Sequence, residues 1–111
     1  MANKPYPLKR SSSFREVALK GNKKRLSSWV TLQLMPSLDA KNYFGVTASR
    51  KVANSVIRNK LKRWVRNCVQ TEPWPEKYES YVFVFVFKQQ AEHTFFTKQK
   101  YSEFLEIYRK I

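Results

Sequence analysis

The stretch SRKVANSVIRNKLKRWVRNCV, residues 49–69, is the segment on which the predicted fold depends. It contains seven Lys or Arg residues and no Asp or Glu. At about 100° per residue on a helix, one arc collects the apolar side chains of Ile57, Leu61, Trp64, Val65 and Cys68. The opposite arc collects Ser55, Arg58, Asn59, Lys62, Arg63 and Arg66. The pattern predicts a helix that buries one stripe and presents an almost purely cationic face.

The net charge of the 111-residue chain is +14, and it is unevenly distributed. Residues 1–40 carry eight bases and two acids, residues 41–71 carry eight bases and no acid, and residues 72–111 carry six of each. Most solvated surfaces mix both signs, so this one-sided field favours a polyanionic partner, with nucleic acid as the leading candidate. A membrane surface is the competing polyanion. The chain has no run of about 18 apolar residues, so no membrane association is expected.

A single domain over residues 1–111 is expected, since domains most often have roughly 100–150 residues. The 42% hydrophobic and 15% aromatic content is enough to form a core. The N-terminal sequence MANKPYPLKR lacks the apolar segment of a signal peptide, which predicts a cytoplasmic protein. The single cysteine, Cys68, excludes an internal disulfide, and its place on the apolar stripe predicts simple packing.

The N-terminal part predicts an arm, a short helix and a loop. Pro5 and Pro7 favour an extended arm over residues 1–10. Ser13 precedes Glu16 by three residues, which is capping-box spacing, and predicts a helix over residues 14–20 that stops at Gly21. Residues 22–25 are predicted to be a basic loop.

Three later segments have the composition of strands: residues 29–35, 42–48 and 81–87. The first two are predicted to pair as a hairpin, with Gly45 as a bulge or a point of close approach. In the first, an apolar face alternates with a mixed face that includes Trp29; this fits a sheet with an open binding side and equally an ordinary half-buried strand.

Residues 81–87, YVFVFVF, are apolar on both faces, which predicts a strand inside the sheet. A strand, a long helix and a buried strand form a βαβ unit, so segments 42–48 and 81–87 are predicted to be parallel. A last helix is predicted to start between residues 94 and 97, with a core stripe of Tyr101, Phe104, Leu105 and Tyr108. The fold class is α+β, with a sheet of four strands or fewer.

Groups for catalysis are scarce. His93 is the only histidine, and only Glu16 and Asp39 precede residue 72 among the acids. We therefore predict no catalytic residue and no metal ligand in the protein, with His93 at the surface or at a helix start. The remaining function is nucleic-acid binding, in which Lys and Arg side chains contact phosphates and exposed aromatic rings stack on nucleobases. The candidates for stacking are Phe14, Trp29 and Tyr43.

The order of residues 50–66, RKVANSVIRNKLKRWVR, resembles the RNR signature of the bacterial ribonuclease P protein subunit. In that family the pattern is approximately K-x-G-N-A-V-x-R-N-[RK]-[IL]-K-R-x-[IL]-R. Leu8 and Lys9, followed by Phe14 and Gly21, are similar to the start of the family's N-terminal helix. The resemblance covers residues 8–109. This chain departs from the pattern at Ala53, which replaces a glycine, at Ser55, which replaces an alanine, and at Ala18, where many members carry a second aromatic.

The resemblance implies the order α-β-β-β-α-β-α around a small central sheet, with an unusual left-handed βαβ crossover. It implies an RNA-binding subunit of the ribonucleoprotein that removes the 5′ leader from precursor tRNA. The partner RNA performs the cleavage and uses Mg²⁺, while the protein has no cofactor of its own and assists substrate and Mg²⁺ binding. The expected partners are the ribonuclease P RNA and the single-stranded leader, with no obligate protein partner. The alternative is a small basic ribosomal or general single-stranded RNA-binding protein.

The resemblance also assigns residues to two sites. Contact with the catalytic RNA falls to Arg50, Lys51, Asn54, Arg58, Asn59, Lys60, Lys62, Arg63 and Arg66. Contact with the leader falls to Phe14, Trp29, Thr31 and Lys51.

Overall fold

This computed structural model describes residues 4–92 and 94–111, which contain five strands and four helices. The strands are β1 (Tyr6–Pro7), β2 (Asn22–Arg25), β3 (Val30–Pro36), β4 (Tyr43–Thr47) and β5 (Tyr81–Phe87). The helices are α1 (Ser11–Lys20), α2 (Ser55–Thr71), α3 (Phe95–Lys98) and α4 (Tyr101–Arg109). A 3₁₀ turn, Glu76–Tyr78, precedes β5. His93, for which a surface or helix-start position was predicted, lies outside these ranges.

The strands form one mixed sheet in the order β1-β4-β5-β3-β2. The central strand β5 is parallel to β4, with Gly45 opposite Val84, and antiparallel to β3, with Gln33 opposite Val84. The predicted parallel βαβ unit of β4, α2 and β5 is therefore confirmed, as is the interior position of β5. The left-handed sense of its crossover stays a prediction.

Three sequence predictions about the sheet are wrong. The strands β3 and β4 do not form a hairpin, because β5 lies between them and buries both of its apolar faces there. Residues 22–25 are not a loop: they form β2, antiparallel to β3 with Lys24 opposite Leu32. Lysines suit this position, since an edge strand is exposed to water. With β1 on the other edge, the sheet has five strands within the described chain rather than four or fewer.

The two faces of the sheet bury different clusters. The face toward α2 and α4 holds the main core, which includes the fully buried Phe83, Phe85, Leu61 and Phe104. The opposite face is covered by α1, whose Val17 packs on Val82 and Val84. In α4, Phe104 and Tyr108 are buried while Tyr101 and Leu105 are half-buried, which confirms the predicted core stripe.

Helix α1 begins earlier than predicted and without the expected capping box. Arg10 precedes it in extended conformation, and Ser13 lies inside the helix, where its N–H donates to the Arg10 carbonyl at 3.0 Å. The arm before it is fixed by the N–H of Leu8, which donates to the Phe44 carbonyl at 2.8 Å. The predicted stop at Gly21 is confirmed. A Cβ there would lie 2.6 Å from the Val17 carbonyl oxygen, so glycine permits close approach at the turn into β2.

Trp29 is buried, with 6% of its surface exposed, so of the two interpretations of this strand the one with Trp29 on an open binding side is wrong. Its ring centroid lies 5.9 Å from that of Phe95, 5.8 Å from Phe96 and 6.1 Å from Phe87. Trp29 precedes the first residue of β3, so the alternation of the strand does not determine its direction. It therefore belongs to the main core.

Substitution of Gly45 tests the close approach of α1 to β4. A Cβ on Gly45 would lie 2.5 Å from Cε1 and 2.7 Å from Cζ of Phe14, so the Phe14 ring has to move in Gly45→Ala. We expect a loss of about 1–3 kcal/mol in the free energy of unfolding, as for other overpacked sites. Urea denaturation measures it.

In the Phe14→Ala background the same substitution should stabilise the protein, because alanine is favoured over glycine in a strand by roughly 0.5–1 kcal/mol. The double-mutant cycle then gives a coupling between Phe14 and Gly45. Additive effects of the two substitutions would contradict the packing of Phe14 on Gly45.

Truncation of Trp29 separates a core residue from a surface residue. Because Trp29 packs among Phe87, Phe95 and Phe96, Trp29→Ala should lower the free energy of unfolding by about 3–5 kcal/mol. The control Leu38→Ala removes a side chain that is 95% exposed and should change stability by less than about 0.5 kcal/mol. Equal midpoints in urea for the two variants would show that Trp29 is not in the core.

Candidate nucleic-acid interface

The start of α2 is fixed by a cap and a buried anchor. The N-cap is Asn54, whose side-chain oxygen accepts the N–H of Ile57 at 3.0 Å. Before it, the N–H of Val52 donates to the Ser49 carbonyl at 3.0 Å, and the Val52 side chain is buried. This turn leaves Arg50 and Lys51 exposed beside the helix N-terminus.

The predicted division of α2 into two faces is confirmed. The buried side is formed by Leu61, Trp64, Val65, Cys68 and Val69, with Ile57 half-buried beside them. On the other side Asn59, Lys62, Arg63 and Arg66 are exposed, and Arg58 is half-buried. Lys60 is also half-buried, with its Nζ 5.1 Å from the centre of the Trp64 ring. We call the residues Arg58, Asn59, Lys60, Lys62, Arg63 and Arg66 the cationic face of α2.

Among the described residues, no carboxylate forms an ion pair with the cationic face. The ion pairs of the described chain join Glu16 to Lys20, Glu92 to Lys98 and Glu72 to Arg109. None of them involves a base between residues 41 and 71, a segment that contains no acid. The N-terminal end of the helix dipole, near Arg50 and Lys51, adds to the positive potential. Such a surface attracts phosphate groups.

A cavity of about 240 Å³ lies between the cationic face of α2, helix α1 and the N-terminal arm. Its lining consists of Pro7, Leu8, Phe14, Phe44, Gly45, Val46, Lys62 and Arg66. The half-buried ring of Phe14 lies over Gly45, which leaves room for it by lacking a Cβ. We call this the Phe14 cavity. It combines an aromatic ring with two cations of α2.

The residues predicted for leader contact are not all brought together. Thr31 is opposite Val86, which packs in the same cluster as Phe14, so Thr31 lies on the α1 face of the sheet; it is 8% exposed. Lys51 is exposed in the turn after β4. Trp29 lies in the core on the opposite side of the sheet from Phe14. Of the four residues, Phe14 and Lys51 therefore present accessible groups at this interface.

The structure adds polar residues that the sequence motif did not include. A cavity of about 400 Å³ beside the C-terminal half of α2 is lined by Arg63, Trp64, Arg66, Asn67, Gln70 and Tyr101. The Asn67 side chain donates to the Tyr101 hydroxyl at 2.8 Å, which ties α2 to α4. Gln70 lies seven residues after Arg63, a spacing that places both on one face of the helix and that could have identified it from sequence.

Cys68 is buried beneath the cationic face of α2. Burial raises the pKa of the Cys68 thiol and so disfavours the reactive thiolate, as expected for a packed cysteine. Within residues 4–92 and 94–111, no three His, Cys, Asp or Glu side chains form a group that could hold a metal ion. Among the helices in those ranges, none is both long and apolar enough to cross a membrane.

Comparisons with known proteins agree with the fold and with the motif. The family model described as Ribonuclease P matches residues 2–111. A ribonuclease P protein component of Bacillus pumilus is 31% identical over 88 residues, which are 79% of this chain and 74% of the relative. One from Bacillus cereus is 30% identical over 66 residues, so the matched segment spans 57% of that relative's length.

Two solved structures show the same fold at low sequence identity. The Staphylococcus aureus RNase P protein has a TM-score of 0.78 at 16% identity, covering 97% of this chain and 93% of that one. The RNase P protein from Thermotoga maritima has a TM-score of 0.72 at 17% identity, covering 95% of this chain and 96% of that one. The two structures show the fold, and the family-model match over residues 2–111 with the 31% identity to the Bacillus pumilus relative shows that the chain belongs to the ribonuclease P protein family.

Proposed function

We propose that this protein is the RNA-binding subunit of a ribonuclease P ribonucleoprotein, in which it binds the catalytic RNA and the single-stranded 5′ leader of precursor tRNA. The observation that carries the proposal is the continuity of two surfaces. Lys62 and Arg66 belong to the cationic face of α2 and also line the Phe14 cavity. One protein surface can therefore contact the two RNA molecules side by side.

The cationic face is suited to a folded RNA. The 17 residues of α2 extend over about 25 Å, enough to follow several phosphates. The bases assigned to RNA contact are Arg50, Lys51, Arg58, Lys60, Lys62, Arg63 and Arg66, with Asn54 and Asn59 beside them. Asparagine both donates and accepts, so it can meet the 2′-hydroxyl that distinguishes RNA.

The Phe14 cavity is suited to an unpaired base of the leader. Stacking on an aromatic ring is worth about 1–3 kcal/mol per base, while nearby cations hold the backbone. Lys51, exposed after β4, supplies a further cation for the leader. We leave Trp29 out of this site, because a side chain that is 6% exposed has no face free for a base. Thr31, which is 8% exposed, lies on the α1 face of the sheet and takes no part in stacking.

Cleavage is assigned to the RNA and its Mg²⁺ ions, and the protein supplies charge and position. Bringing the leader and the catalytic RNA onto one cationic surface lowers the electrostatic repulsion between them. Less Mg²⁺ is then needed for substrate binding. The proposal gives the protein no catalytic residue and no cofactor of its own.

Removal of two cations from α2 tests the RNA-binding role. At low Mg²⁺, adding the wild-type protein to the ribonuclease P RNA of the same genome should increase 5′ cleavage of precursor tRNA. Arg58→Ala with Arg63→Ala should weaken RNA binding and lower the slope of log Kd against log salt by about 1.4–1.8, since each phosphate contact contributes roughly 0.7–0.9.

The matched control is Lys77→Ala with Lys110→Ala, which removes two exposed cations from the charge-balanced part of the chain. Circular dichroism should show both double variants folded, because the removed groups lie off the apolar stripe of α2. Cleavage that is unchanged on adding the wild-type protein would refute the proposed function.

The dependence of precursor-tRNA affinity on leader length tests whether the Phe14 cavity binds the leader. It also distinguishes the proposed function from general RNA binding. Affinity of the reconstituted particle should rise as the leader grows by a few nucleotides, and Phe14→Ala should remove about 1–3 kcal/mol of that gain. Affinity for mature tRNA should not change. The control Trp29→Phe, a substitution in the core, should keep the leader effect. A general single-stranded RNA-binding protein would show no gain from leader length in this assay.

A further inference from the structure

The cavity between α2 and α4, lined by Arg63, Trp64, Arg66, Asn67, Gln70 and Tyr101, extends past the end of the motif at residues 50–66. Its volume of about 400 Å³ exceeds the 240 Å³ of the Phe14 cavity. Four of its lining residues, Trp64, Asn67, Gln70 and Tyr101, have no part in the RNA contacts proposed above. We call it the α2–α4 cavity.

The polar groups of the α2–α4 cavity are of the kind that read a base edge. Asn67 and Gln70 are one helical turn apart, and each amide both donates and accepts, whereas Lys and Arg only donate. The Asn67 side chain donates to the Tyr101 hydroxyl at 2.8 Å, so its orientation is set by α4. A nucleobase presents neighbouring donors and acceptors, and bidentate amide contacts suit them.

Aromatic rings form the floor of the cavity. The Trp64 and Tyr101 rings meet at 6.4 Å with an interplanar angle of 61°, and the Trp64 side chain is held in the core with 9% of its surface exposed. Tyr101 is half-buried at the start of α4. A base that enters here would meet the half-buried Tyr101 ring together with the amides of Asn67 and Gln70.

Charge complementarity selects RNA as the occupant. Among the described residues, those lining the α2–α4 cavity include two arginines and no Asp or Glu. A cavity past the C-terminal end of α2, lined in part by Glu72, Glu76 and Arg109, has mixed charge. The α2–α4 cavity thus marks the end of the cationic surface, where Arg63 and Arg66 can hold a phosphate beside the amides.

We propose that the α2–α4 cavity binds one unpaired nucleotide of the RNA held by α2, with Asn67 and Gln70 on the base edge and Arg63 and Arg66 on the adjoining phosphates. This rests on the proposed function, because it names a further contact with the same RNA. The contact differs in kind from the rest of the interface: part of it is uncharged and should be insensitive to salt.

The test is Gln70→Ala, measured as Kd for the ribonuclease P RNA transcript over a range of salt concentrations. Gln70 is exposed on a helix and alanine favours helix, so the variant should fold. We expect Kd to rise about fivefold to tenfold at every salt concentration, the loss of one or two hydrogen bonds. The log–log slope should not change, in contrast to Arg63→Ala, which should lower it. Tyr101→Phe, which removes the hydroxyl that orients Asn67, should weaken binding in the same salt-independent way.

The matched control is Gln89→Ala, the same change at an exposed residue outside the cavity, and it should leave Kd unchanged. Chemical probing of Watson–Crick edges, with dimethyl sulfate for A and C and a carbodiimide for G and U, adds a second readout. The wild-type protein should protect one unpaired base that stays reactive in the Gln70→Ala complex.

If Gln70→Ala binds with wild-type affinity and gives an unchanged probing pattern, the proposal that the α2–α4 cavity binds a nucleotide is overturned, while the proposed function stays intact. A loss that vanishes at high salt, or an equal loss in Gln89→Ala, would overturn it as well. Absence of RNA binding by the wild-type protein would overturn both proposals together.

Discussion

A strand that is apolar on both faces has to be covered on both sides, and this constraint on β5 shapes the rest of the molecule. Its aromatic side chains Phe83 and Phe85 are fully buried against α2 and α4. Val82 and Val84, which point the other way, are buried by α1. The strands β4 and β3 take its two edges, so that every backbone group along β5 can pair. The helices thus lie on opposite faces because β5 requires them there.

The placement of α2 follows from this arrangement and leaves its cationic face exposed. The start of β4 is tied to the start of β5 by the buried Asn42, whose side-chain oxygen accepts the N–H of Ser80 at 2.6 Å and of Tyr81 at 3.3 Å. With the two strands parallel, α2 has to run back along the sheet between them. Its apolar stripe then meets the Phe83 and Phe85 side, and its bases face outward.

The sequence predicted what is local and missed what is assembled from distant parts. The amphipathic period of α2 and the two apolar faces of β5 can each be recognised in contiguous residues. The prediction that β3 and β4 form a hairpin was wrong. Pairing of β3 with β5, which lies some 45 residues further along the chain, buries more apolar surface than pairing with β4 would. The β2 segment NKKR has little strand propensity of its own, and backbone pairing with β3 makes it a strand.

The candidate site divides in the same way. The cationic face of α2 could be derived from the helical period of one segment. The RNR resemblance then narrowed the expected partner from nucleic acid in general to the ribonuclease P RNA. The Phe14 cavity could not be derived, because Phe14 and Arg66 come from elements that meet only in the folded chain. The contact of Asn67 with Tyr101 spans 34 residues and has no periodic signal. Trp29 was misplaced because it adjoins a strand end, where alternation no longer determines direction.

The balance of energies in α2 explains how an acid-free surface can be tolerated. Like charges four residues apart, as in Arg58 with Lys62 and Lys62 with Arg66, each cost about 0.2–0.5 kcal/mol in a helix. Burial of one large apolar side chain such as Leu61, fully buried here, contributes about 1.5–3 kcal/mol. Packing of the stripe therefore outweighs repulsion on the face, and the helix needs no surface ion pairs to stay folded. The cations are left available for a polyanion, and phosphates bound to that face would relieve the repulsion that the free protein carries.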